Sequence, residues 1–136
     1  MQYFKSVISA FFLFVSCDGI DSSERFGICT DQSNKIEYKR VTFEELLKAP
    51  QAYKTSKIEV EGFITFEFEN VGIYSNRNFE VGYWINFERS MFEYENKLVG
   101  FNKKKALIRG IFNPEKKGHL NMFRGEIDSV ICIIRE

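Results

Sequence analysis

Residues 57 to 69 alternate apolar and polar side chains almost without interruption. Ile58, Val60, Ile64, Phe66 and Phe68 fall on one side, and Lys57, Glu59, Glu61, Thr65, Glu67 and Glu69 on the other. Successive side chains of a strand project to opposite faces, so the pattern predicts one long strand with a dry and a wet face. Gly62 sits on the dry side, where a missing Cβ admits a bulge or a sharp coil. A chain carrying such a strand must build a sheet that covers its dry face.

The neighbouring segments supply that sheet. Glu69-Asn70 reads as a turn into a second strand over Val71-Gly72-Ile73-Tyr74, and residues 81 to 87 form a third. A fourth runs from Ala106 to Phe112. Asn113-Pro114-Glu115-Lys116-Lys117-Gly118 is a turn, and a last strand spans about Glu126 to Arg135. Two helices interrupt the strands. Thr42 and Glu45 form a capping box ahead of Phe43, Leu46 and Leu47, and Pro50 stops that helix. Ser90 and Glu93 predict a second capping box, over Met91, Tyr94 and Leu98.

Strand, strand, strand, helix, strand, strand is the order of the OB-fold. The expectation is a mainly β domain with short helices, a five-stranded partly open OB-like barrel with an N-terminal helix. A small open α+β sheet with two flanking helices is the alternative. Aromatic content is high, with fifteen Phe and six Tyr in the full chain, and a few well-placed rings can stabilise a domain of this size. SKIEVEGFITFEFENVGIY and IRGIFNPEKKGHLNMFRGEID resemble a group of small exported bacterial OB-like proteins. That resemblance covers about residues 41–135 and implies no activity.

The N-terminus carries a separate signal. Lys5 precedes the apolar run Val7 to Val15, and Ser16-Cys17 closes it. This layout is that of a secretory signal, with an apolar region too short for a permanent membrane helix. It resembles the lipobox of bacterial lipoproteins, with Phe14 where the family prefers leucine. The resemblance implies an acyl-bearing (palmitate-type) lipid on Cys17. The expected organisation is a signal peptide at 1–16, a lipid-anchored flexible tether at 17–35 and the β domain at 36–136. Localisation follows as the bacterial cell envelope, anchored to a membrane, with a secreted or periplasmic soluble protein as the alternative.

Charge and cysteines narrow the partners. Lys plus Arg equal Asp plus Glu at 19 each, so no basic excess exists to hold nucleic acid, and none is expected as a partner. With Cys17 lipidated, Cys29 and Cys132 remain as a pair that an oxidising compartment allows to join; two unpaired thiols are the other reading. The lone histidine and the absence of CxxC give no metal site, and no cofactor is expected.

The candidate binding residues are Tyr74, Arg77, Tyr83, Trp84 and His119. The first four come from the second and third strands and the loop between them, the usual binding face of an OB-fold. His119 follows the Lys116-Lys117-Gly118 turn, a candidate anion loop together with Lys103 to Lys105. The carboxylate row Glu59, Glu61, Glu67 and Glu69 offers a cation or a basic partner one face, although such rows commonly serve only solvation. No catalytic fingerprint occurs. The expected function is a non-enzymatic binding module for a protein or an envelope glycan. The alternative is a structural or immunity-type protein-interaction subunit of the envelope.

Overall fold

The computed structural model describes residues 26–30 and 35–135. The elements run β1 (Gly27–Cys29), β2 (Lys39–Arg40), α1 (Phe43–Lys48), β3 (Lys57–Glu67), β4 (Asn70–Tyr74), β5 (Gly82–Phe87), α2 (Glu95–Leu98), β6 (Lys105–Asn113) and β7 (Glu126–Arg135). Short 3₁₀ segments flank the helices at Pro50–Tyr53, Arg89–Tyr94 and Val99–Phe101.

One sheet contains all seven strands, in the order β1-β7-β5-β4-β3-β2, with β6 pairing both β3 and β7. The ladders β3–β4, β4–β5, β5–β7, β7–β6 and β6–β3 lead back to the starting strand. The β5–β7 pair is parallel, as is the short β2–β3 pair; the rest are antiparallel. Because β1 and β2 extend the same sheet, the five-stranded OB-like barrel expected from the element order is corrected to a mixed α+β domain on a seven-stranded sheet. The reason lies in strand length. β7 outruns β5, whose ladder ends at Val130, and β1 pairs with the remaining stretch at Cys132 to Ile134. Unpaired backbone groups on that edge would otherwise need water. Segment 17–35, expected to be a tether, contributes β1 from its described part.

The long strand behaves as its alternation predicts through Ile64. Ile58, Val60 and Ile64 are fully buried beside Ile73, Ile108 and Phe112. Gly62 immediately precedes Phe63, the residue at which β3 passes from β6 to β4. A Cβ there would lie 2.6 Å from the Tyr74 carbonyl oxygen and 2.7 Å from the Phe43 ring, so only glycine lets β4 and α1 close in.

Two readings of the strand's end are corrected. Thr65, assigned to the wet face, is buried, while Phe68, assigned to the dry face, is 92 % exposed. The strand ends at Glu67, and Phe68 and Glu69 form the hairpin turn, with Glu69 at φ 57°. Thr65 is tolerated inside because its hydroxyl is used: Oγ1 accepts from the Gly72 N–H and donates to Asn70 Oδ1, each at 3.1 Å.

The Thr42 capping box forms, with both reciprocal bonds at 3.1 Å. The second does not. Glu88 caps that segment without a side-chain bond, and Ser90 Oγ donates to Glu88 Oε2 instead. Cys29 and Cys132 are joined as a disulfide across the β1–β7 ladder. The lipobox-like run ending at Cys17 lies outside the described residues. Among the described residues no helix is long and apolar enough to cross a membrane.

Candidate functional site

The β6–β7 connection folds back over β5 and makes one wall of a cleft. Its anchors are backbone bonds: Phe123 N–H to the Lys117 carbonyl, Arg124 N–H to Gly82, and Trp84 N–H to Gly125. Gly118 makes the approach with φ 65°, and a Cβ there would fall 2.5 Å from Trp84 Cβ. Glycine alone combines that backbone with that contact. His119 then lies over Trp84, ring centroids 6.3 Å apart and planes 29° from parallel, and Phe123 meets the indole edge-on at 5.2 Å.

The opposite wall is the β3–β4 hairpin and the start of β5. Tyr74 donates its hydroxyl to Asn70 Oδ1 at 2.7 Å. Burial raises its pKa, against the hydrogen bonds to Thr65 and Asn70 that lower it, so the phenol stays neutral. Phe79 packs edge-on to Tyr74 at 5.3 Å. The hairpin and the loop meet where His119 Nε2 sits 3.5 Å from Glu69 Oε2. Between the walls lies a cleft of about 300 Å³. Glu69, Tyr74, Phe79, Glu80, His119 and Phe123 line it, and Met122 stands at its side. It has aromatic walls and two carboxylates, with no lysine or arginine among its lining residues.

The structure thus brings Tyr74 and His119 into one cleft, with Trp84 behind the imidazole. Tyr83 and Arg77 are elsewhere. Tyr83 is 1 % exposed, packed against Phe43 and Phe112, and burial pushes its pKa up to about 12 despite the charge of Arg124. Arg77 lies over the Phe63 ring at 5.4 Å. Strand alternation explains the split: Tyr83 and Trp84 are adjacent on β5, so they take opposite faces.

The carboxylate row on β3 is occupied from both flanks. Glu59 receives Arg40 at 3.3 Å and Arg109 Nε at 2.9 Å, and Glu61 receives Arg40 at 3.3 Å and Lys105 at 2.6 Å. A depression of about 570 Å³ beside this network is lined by the same Arg40, Glu61 and Lys105. Glu67 meets Lys103 at 3.9 Å and Asn102 at 3.2 Å. Three lysines of the anticipated anion loop are paired apart from one another, Lys103 with Glu67, Lys105 with Glu61 and Lys116 with Asp128. Among the described residues no three His, Cys, Asp or Glu side chains gather as metal ligands.

Sequence reasoning missed Phe79, Glu80, Met122 and Phe123. Glu80 and Phe79 follow an Asn-rich loop with no periodicity, and Phe123 enters only because Gly118 turns the loop inward. Exposed apolar side chains occur on both segments that meet at the cleft: Phe68 beside Glu69 in the hairpin turn, and Leu120 and Met122 in the loop, 76 % and 77 % exposed.

No protein-family model matches this chain, and neither a curated protein nor a solved structure does. The resemblance to exported OB-like proteins, which rested on glycines, a turn and alternation, is corrected accordingly. The lipoprotein assignment made on the run ending at Cys17 gains no support from the fold or from these comparisons and is withdrawn as an identification.

Proposed function

We propose that this domain is a protein-interaction subunit of the structural or immunity type, which binds one partner through the end of the sheet formed by the β3–β4 hairpin and the β6–β7 loop. The observation that carries the reading is the placement of Phe68, Leu120 and Met122. Phe68 and Leu120 each adjoin one member of the Glu69–His119 pair, and Met122 lines the cleft beside them. Exposed large apolar side chains brought together from two separate segments mark an interaction surface rather than a random scatter.

Magnitudes favour a protein over a glycan. Burying a Phe, Leu or Met side chain is worth about 1.5–3 kcal/mol. Three together come to about 4.5–9 kcal/mol, comparable with the ~4–15 kcal/mol that association costs. A sugar has little apolar surface with which to collect that contribution. Within the cleft, the Tyr74 hydroxyl is already committed to Asn70 Oδ1. The Cys29–Cys132 disulfide supports an oxidising compartment such as the cell envelope. The domain acts by binding, and no reaction is assigned to it.

A photo-crosslinking residue placed at Leu120 tests the reading in the native host. The expected result is one defined protein adduct that disappears when Phe68 and Met122 are also changed to Ser. The same probe at Phe92, exposed between β5 and β6, serves as the control. Equal labelling from both positions, or no adduct at Leu120, would remove the proposal.

A further inference from the structure

We infer that the cleft between the β3–β4 hairpin and the β6–β7 loop receives an arginine side chain of the protein partner; this rests on the interaction reading above. The apolar rim alone is marginal against the cost of association, so a polar anchor is needed. The cleft is built for a cation. Its charged side chains are Glu69 and Glu80, with His119 as the third titratable group besides the Tyr74 phenol, and no lysine or arginine lines it. Glu69 already faces His119, whereas Glu80 makes no ion pair among the described residues. Glu80 is therefore the principal counter-charge for an incoming group.

The walls select among cations. Tyr74, Phe79 and Phe123 line the cleft with aromatic surface, Tyr74 packing against both of the others. A planar guanidinium stacks on such rings and accepts a carboxylate in a two-pronged bond, whereas a compact ammonium holds its water more tightly. A volume of about 300 Å³ suits a single long side chain and excludes a folded element. The occupant is consequently one arginine, inserted while flanking apolar residues of the partner cover Phe68, Leu120 and Met122. Such an aromatic-and-arginine anchor inside an apolar ring is the common composition of an interface hot spot.

The chain contains a single tryptophan, and Trp84 stacks behind His119, so its fluorescence reports on the cleft. The test titrates the disulfide-bonded protein with Nα-acetyl-arginine methylamide, and with the citrulline analogue as its neutral isostere. The expected result is a saturable response to the arginine compound in about the millimolar range, weakened about tenfold or more by citrulline or by Glu80→Gln. Glu93→Gln, at an exposed acid outside the cleft, keeps the wild-type response, and near-ultraviolet circular dichroism checks that each variant is folded. Equal responses to arginine and citrulline, or an undiminished response in Glu80→Gln, would overturn the inference. A patch-dependent crosslink without an arginine response overturns the arginine anchor and leaves the interaction reading standing. An arginine response without the crosslink supports the cleft's selectivity and overturns the protein partner.

Discussion

Cys29 lies directly opposite Cys132 across the β1–β7 ladder, and their disulfide joins positions separated by 103 residues. Ile28, between the cysteine and Gly27, is buried in the core. The three-residue strand β1 is thus held by one covalent bond, one core side chain and a few ladder bonds. It shields the part of β7 that β5 does not reach.

Closing a loop of this length restricts the unfolded chain strongly. Cys29→Ser is expected to lower stability by about 2–4 kcal/mol. Urea unfolding of both proteins without reductant measures the difference. An unchanged midpoint would mean that the bond adds nothing to the folded domain.

Gly62→Ala tests the coil of β3. Its new methyl group meets backbone as well as side chain, namely the Tyr74 carbonyl oxygen and the Phe43 ring. Overpacking of this kind is expected to cost about 1–3 kcal/mol. Gly100→Ala is the contrast, because nothing lies within 4 Å of its Cβ position. Thermal melts of the two variants should diverge; equal melting points would show that β4 can move aside.

Glu126 begins β7 and is 7 % exposed. Burial raises its pKa above the ordinary 4.5, and the neighbouring Asp128 charge raises it further, against Lys116 and a hydrogen bond from Asn86. The folded state therefore holds this proton more tightly than the unfolded one. Its contribution to stability is fully present below the ordinary value and is lost as pH rises through the folded value. Glu126→Gln should match the wild type in acid and become the more stable protein as pH rises toward neutral. Chemical denaturation at a series of pH values reads this directly, and parallel curves would contradict it.

Thr42→Ala removes the acceptor for the Glu45 N–H and breaks the capping box. The expected loss is about 1 kcal/mol, within the ~0.5–2 kcal/mol range of such caps. Ser90→Ala should cost less, because Ser90 bonds a glutamate side chain rather than a helix N–H. Comparing the two variants by denaturant midpoint distinguishes a formed cap from a motif that resembles one.

Local signals survived folding where the pattern itself defines the geometry. The alternation through Ile64, the Thr42 box, Pro50 as a helix stop and the Pro114 turn all describe elements that form. Ser90-x-x-Glu93 has the same letters as a working cap. There the chain leaving β5 is held by the Glu88 N–H bond to Val130, and Glu88 becomes the capping residue. Tertiary pairing overrode a motif worth only about 1 kcal/mol.

The candidate site was legible only in fragments. Tyr74, Trp84 and His119 stood out as aromatic or titratable groups near turns. Tyr83 stood out equally and belongs to the core, since one step along a strand reverses the face. Phe79 and Glu80 carried no signal because they lie in an aperiodic β4–β5 loop, and Phe123 carried none because its role depends on a loop that turns at Gly118 and crosses β5.

By itself, the sequence determined the strand-rich class, most element positions, the balanced charge and the two cysteines able to pair. Periodicity, turn chemistry and composition act over a few residues, so they can be read without the fold. The tertiary structure alone decided the number of strands in the sheet, the partners of each glutamate on β3 and the union of a hairpin with a loop into one cleft. Those outcomes depend on which segments, distant in the chain, compete to cover the same edge or neutralise the same charge. The free-energy differences involved are set by burial and pairing in three dimensions, and no local stretch of residues encodes them.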